Sequence, residues 1–154
     1  MHPRIENHFS LAPAAIKAMM TLETAIAASG LDNTLIGLIK LRASQINGCA
    51  YCIHMHVEHL RQAGETEMRL HLLSAWREAP IYSERERAVL AWTEALTLLP
   101  QNGAADEDYA PIATQFSPEE QVNLTLAIGA INAWNRLQVG FRIRPVVSEA
   151  QHAA

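Results

Sequence analysis

The stretch Leu35-Ile36-Gly37-Leu38-Ile39-Lys40-Leu41-Arg42-Ala43-Ser44-Gln45-Ile46-Asn47-Gly48-Cys49-Ala50-Tyr51-Cys52-Ile53-His54-Met55-His56 decides the fold class and carries the chemistry. Its first half repeats Leu35, Leu38, Ile39 and Ile46 at helical spacing, and Asp32 stands where a helix needs a cap. Asn47-Gly48 breaks the chain. A second helix then runs from Cys49 to Ala63, where Gly64 stops it.

The rest of the chain reads the same way. One helix is predicted from Pro13 to Ala28, with Ile16, Met19, Met20 and Ala27 on one side and Gly30 closing it. Another covers about Thr66 to Trp76 and ends before Pro80. Ser83 with Glu86 forms a capping box ahead of Val89, Trp92, Leu96 and Leu99, a stripe that ends at Pro100. Residues 101–105 read as loop, and 106–114 as a short helix interrupted or started near Pro111. Ser117-Pro118-Glu119-Glu120 combines a capping serine, proline at the first helical position and acids in the first turn. The long helix behind it reaches about Val139 and is apolar nearly all round from Val122 to Trp134. That makes it the central core helix or part of a subunit interface, with Gly129 and Ala133 allowing close approach. Strand signals are nearly absent. The expectation is an all-α, single-domain bundle of about six to seven helices over residues 1–154, with a loose tail from about 145.

At 154 residues, one domain can bury about 68–70% of its unfolded surface without disulfide staples. A net charge of -4 lacks the basic footprint of a nucleic-acid binder. Met1 to His8 holds no apolar run of signal-peptide length, and no segment approaches a membrane span, so the cytoplasm is the expected compartment. The two cysteines are too few for a secreted disulfide scaffold, and a bridge between them closes a tiny loop. Their pairing points to redox work or metal binding.

Cysteine reacts as the thiolate, and a helix N-terminus favours it through unpaired N–H groups and the helix dipole. Cys49 and Cys52, in the first turn and three residues apart, are spaced to exchange between dithiol and disulfide. His56 follows Cys52 by four residues on the same face, within reach of a thiol proton. His59 lies on the same stripe, though a rise of about 10.5 Å separates it from Cys52. His54 points to the other side, and His8 and His71 are read as structural. Zinc wants four ligands, and no second Cys-x-x-Cys or spaced histidine pair follows Cys49, Cys52 and His56. A metal-binding module and inert core cysteines remain as the other readings, with no metal or cofactor expected. Trp76, Trp92 and Trp134 read as core packing and the methionines as gap fillers.

Several blocks together resemble the alkyl hydroperoxidase D (AhpD)-like branch of the carboxymuconolactone decarboxylase superfamily. They are residues 41–52 with His56, Ala75-Trp76-Arg77-Glu78-Ala79-Pro80, residues 84–88 with 91–96, and Ala130-Ile131-Asn132-Ala133-Trp134-Asn135-Arg136-Leu137, covering most of 35–140. The resemblance implies an all-α fold, a homo-oligomer (trimer or hexamer) and peroxiredoxin-type reduction of a peroxide at the expense of an external thiol or dithiol. Carried over, Cys52 is the peroxidatic residue, Cys49 resolves its sulfenic acid and His56 serves in a proton relay. That relay also uses a glutamate twelve residues before the first cysteine, where this chain has Gly37. Tyr51 fills a slot that holds another histidine in the peroxidase prototype. A thiol peroxidase or disulfide oxidoreductase is therefore the first expectation, and a non-catalytic redox sensor or scaffold the second.

Overall fold

The computed structural model describes residues 2–146, and among them every regular element is helical. In chain order these are α1 (His8–Leu11), α2 (Pro13–Ala27), α3 (Asn33–Ile46), α4 (Ala50–Gln62) and α5 (Glu67–Leu72), which tightens into a 3₁₀ turn at Leu73–Ala75. Then follow α6 (Glu84–Thr97), α7 (Leu99–Asn102), α8 (Asp106–Gln115) and α9 (Pro118–Gly140). The described residues thus hold nine α-helices, more than the expected six to seven. The additions are short. Leu98 ends α6, and Pro100 then sits in the first turn of α7, where its missing N–H has no role, until Gly103 at φ 65° closes it. Pro111 neither starts nor interrupts α8, which runs through it. The loose tail expected from about 145 lies, from residue 147 on, outside the described residues.

The predicted caps form. Asp32 accepts the Thr34 N–H at 2.7 Å, and both capping boxes, Ser83 with Glu86 and Ser117 with Glu120, are closed in both directions.

α3 is the central helix. Leu35, Ile36 and Ile39 pack with Val89, Trp92, Ile112, Leu124 and Ile128 of α6, α8 and α9. Leu38 and Leu41 face the other way, into a second cluster with Leu60, Leu70, Leu73, Trp76 and Leu90. A helix that buries two faces needs apolar residues nearly all round, and Leu35–Leu41 supplies them. The long α9 buries one face only: Val122, Leu126, Gly129, Ala133 and Val139 are exposed along its outer side. No helix of the described residues is long and apolar enough to cross a membrane.

Candidate functional site

The cysteine pair is set by the way α3 ends. Gly48 takes φ 65°, a left-handed turn that a Cβ would strain. Its N–H reaches the Gln45 carbonyl at 3.2 Å, and the Cys49 N–H reaches the Ser44 carbonyl at 3.0 Å. These are the two bonds of a Schellman motif. Cys49 is thus the last residue of one cap and the N-cap of α4, its Sγ accepting the Cys52 N–H at 3.3 Å. The turn is pinned to α9 by a side-chain network. Asn47 Nδ2 donates to Asn132 Oδ1 at 3.0 Å and Asn135 Oδ1 at 2.9 Å, and Asn135 Nδ2 donates to Ser44 Oγ at 3.0 Å. Buried amides satisfied in this way rigidify the segment they join.

Cys49 and Cys52 are disulfide-bonded, with 5.3 Å between their Cα atoms, and are 1% and 2% exposed. Solvent approaches through a cavity of about 290 Å³ that Cys52 and His56 line; Cys49 is not part of its walls. Phe9, Met20, Met55, Ile131 and Trp134 give the cavity an apolar surface, and Glu23, Lys40, His59 and Gln138 give it polar points. His56 is buried, and among the described residues its Nε2 has no hydrogen-bond partner. Burial first, then the Lys40 ammonium and His59, push this imidazole down to about 3, so it is neutral in ordinary buffers. The Gln138 Oε1 is likewise buried and unpartnered.

Of the other histidines, His59 is exposed, with its ring 6.3 Å from that of His56 and near-perpendicular to it. It reaches the cavity mouth after all, one turn above His56. His54 lies on a separate surface depression with Glu58 and Gln62. His8 packs against Phe9 and Phe141 at 4.4 and 5.6 Å between ring centroids, and His71 is exposed. Among the described residues no cluster of three or more His, Cys, Asp or Glu side chains is placed to hold a metal ion.

The sequence reading missed part of the cavity wall. Trp134, expected in the core, lines the cavity and donates its Nε1–H to Glu23 Oε1 at 2.9 Å. The other oxygen of Glu23 pairs with the Lys40 ammonium. Lys40 carried a legible signal: it is a cation among the apolar residues of a helix buried on two sides, and such a charge needs a partner.

Gly37 has a packing reason. A Cβ there would stand 2.6 Å from Leu60 Cδ2 and 3.1 Å from its Cγ. The missing side chain is what lets α3 and α4 close on each other, and Leu60 is itself buried. Gly37→Ala is therefore expected to lower stability by up to about 2 kcal/mol, the overpacking penalty of about 1–3 kcal/mol less the roughly 1 kcal/mol that alanine gains over glycine inside a helix. A reduced urea midpoint checks this, and an unchanged midpoint means that Leu60 yields freely.

Comparison with known proteins follows the same lines. The carboxymuconolactone decarboxylase family matches residues 13–95. The uncharacterized protein YdfG of Bacillus subtilis (strain 168) is 41% identical over 133 residues, which is 86% of this chain and 90% of that protein. The crystal structure of ATU0492 from Agrobacterium tumefaciens, a protein of unknown function proposed to be the antioxidant defence protein AhpD, superposes with a TM-score of 0.91. It is 49% identical, over 95% of this chain and 99% of that one. The debrominase Bmp8 shares the fold at a TM-score of 0.80 and 20% identity, over 94% of this chain and 77% of its own. With the helical frame, the Cys49–Cys52 pair and these matches in agreement, the chain belongs to the carboxymuconolactone decarboxylase family.

Proposed function

We propose that this protein is a thiol-dependent peroxidase that cycles Cys49 and Cys52 between dithiol and disulfide, with Cys52 as the residue that meets the peroxide. The observation that carries this reading is the cavity: its walls include Cys52 and His56 and not Cys49. In the dithiol state the Cys52 S–H is offered to the unpartnered Nε2 of His56, which takes the proton as the sulfur attacks. The resulting thiolate and imidazolium attract each other in a site where little water screens them. The thiolate attacks the terminal oxygen of a hydroperoxide, an S–O bond forms and the O–O bond breaks. The alkoxide that leaves takes the proton back from His56, so sulfur is oxidised by two electrons and the peroxide is reduced to an alcohol. Cys49 then attacks the Cys52 sulfenic acid, closing the disulfide and releasing water. An external dithiol reduces the disulfide by exchange and is itself oxidised.

Two features support a ligand in the cavity. Its apolar walls suit the organic part of a hydroperoxide, and Gln138 Oε1 offers an acceptor to its O–H. A homo-oligomer, trimer or hexamer, in the cytoplasm belongs to the same proposal, supported by the exposed Val122, Leu126 and Val139 beside Gly129 and Ala133 on α9. A redox sensor that forms the disulfide without turnover is the second reading, favoured by Gly37 where the resemblance places an acid. Steady consumption of peroxide in the presence of a dithiol separates the two.

The role assignment has its own test. After one equivalent of peroxide, Cys49→Ser is expected to accumulate a sulfenic acid that a dimedone probe traps, and Cys52→Ser to give none. Mass spectrometry of the labelled peptide reads the outcome. Trapping on Cys49 in the Cys52→Ser protein, with none on Cys52, reverses the roles.

A further inference from the structure

Glycine at residue 37 removes the carboxylate that the resemblance implies, yet the cavity over Cys52 is not without charge: Glu23 and Lys40 both line it. Lys40 follows Gly37 by three residues on α3, so the two share a face of that helix. Lys40 lines the cavity over Cys52 and also a second one, of about 250 Å³, whose walls include Gly37, His56, His59 and Leu60. Lys40, His56 and His59 therefore form the partition between the two. The Lys40 side chain is 16% exposed and its ammonium is paired with Glu23 from α2. Glu23 is held in turn by the Trp134 N–H from α9. Three helices thus converge to fix one ammonium at the cavity wall.

We propose that the Glu23–Lys40 ion pair is the electrostatic device of this cavity: Lys40 stabilises the Cys52 thiolate, and Glu23, anchored by Trp134, is the positioning residue that keeps the ammonium there. The inference rests on the reading of Cys52 as the reacting thiol. The ionisable groups around that thiol are Glu23 from α2, Lys40 from α3, and Tyr51, His56 and His59 from α4; α9 contributes Ile131, Trp134 and Gln138, none of them ionisable. The pair has a direction. Both residues line the cavity, and the Lys40 ammonium is the end felt at His56, as a nearby positive charge. A positive charge there does two things. It favours the thiolate over the thiol, and it makes the imidazolium of His56 a stronger acid, so that the proton passes on to the departing alkoxide instead of staying on the ring. The result replaces a carboxylate relay with a fixed cation beside a neutral base.

The test is a titration of the Cys52 thiolate by its absorbance near 240 nm, in full-length protein carrying Cys49→Ser so that a single thiol reports. Adding Lys40→Met is expected to raise the thiol pKa by about one pH unit or more, and Lys40→Arg to restore most of it. Exchanging the charges, Glu23→Lys with Lys40→Glu, keeps an ion pair while putting the negative charge on α3 and leaving the Trp134 N–H without its acceptor, and is expected to raise the pKa as well. Circular dichroism confirms that each variant is folded, and the charge exchange carries the test where Lys40→Met fails to fold. A thiol pKa that stays within about 0.3 of the parent in the folded variants overturns the inference. The titration needs no peroxide, so it fails separately from the peroxidase reading, which falls only if Cys52 yields no sulfenic acid and no turnover.

Discussion

His56→Gln is expected to slow oxidation of the reduced protein by peroxide about 10²–10⁴-fold, the range typical of a positioned acid–base group. The imidazole has two tasks in the proposed cycle, removing the thiol proton and protonating the alkoxide, and an amide does neither. Its Nε2 has no hydrogen-bond partner among the described residues, and in the disulfide state neither sulfur carries a proton to offer it. Reduction supplies that donor on Cys52, one helical turn away. Disulfide closure by a thiol-specific oxidant such as diamide uses the same thiolate but delivers no proton to an alkoxide, so it should be slowed in His56→Gln by less than the peroxide reaction is. Stopped-flow tryptophan fluorescence, with Trp134 on the cavity wall as the nearby reporter, measures both reactions. Equal slowing in peroxide and diamide would take alkoxide protonation away from His56 and leave it at most the thiol proton, and no slowing in either would remove it from the cycle.

The frame of the molecule was legible because its signals are local. Asp32, Ser83 and Ser117 announce helix starts by bonds to residues two or three positions on, and Gly30, Gly48 and Gly64 announce ends by a left-handed φ that other residues avoid. The Cys49–Cys52–His56 stripe was legible for the same reason, since all three sit on one helix and its cap. What escaped was whatever depends on pairing across the chain. Trp134 reads as a core residue until Glu23, 111 positions earlier, turns out to accept its N–H. Phe9 sits in a one-turn helix too short for periodicity to reveal, yet its ring lies 5.9 Å from that of Trp134 and helps wall the cavity. The apolar run of α9 is open to two readings, a central helix or part of a subunit interface. The centre went to α3, because a helix flanked by α4 on one side and α6 and α9 on the other has no free face, whereas α9 closes the bundle from outside. Gly37 was legible as a departure from the relay pattern, and its proximity to Leu60 was not.

The same histidine should set the acid limit of the fold. Its ordinary pKa of 6.5 applies in the unfolded chain, and in the folded protein burial, Lys40 and His59 push it down to about 3. Between those values the unfolded state binds a proton that the folded state refuses, so stability is full above about pH 6.5 and falls as the pH drops towards 3. At pH 5, 1.5 pH units below the unfolded value, the loss from this group is about 2 kcal/mol, and it continues to grow down to about pH 3. A measurement between pH 7 and pH 5 avoids most carboxylate titration, and the difference between parent and His56→Gln separates this histidine from the other six. Urea unfolding of the oxidised protein is expected to show a midpoint that declines across this range. The midpoint of His56→Gln, which has no proton to gain, is expected to stay nearly flat. The sign discriminates between physical causes: an imidazole that gained a carboxylate partner on folding would show the opposite trend, with stability lost as the pH rises. Parallel declines in parent and variant would place the acid sensitivity elsewhere, and would mean that His56 is reached by water readily enough to accept a proton without unfolding the site.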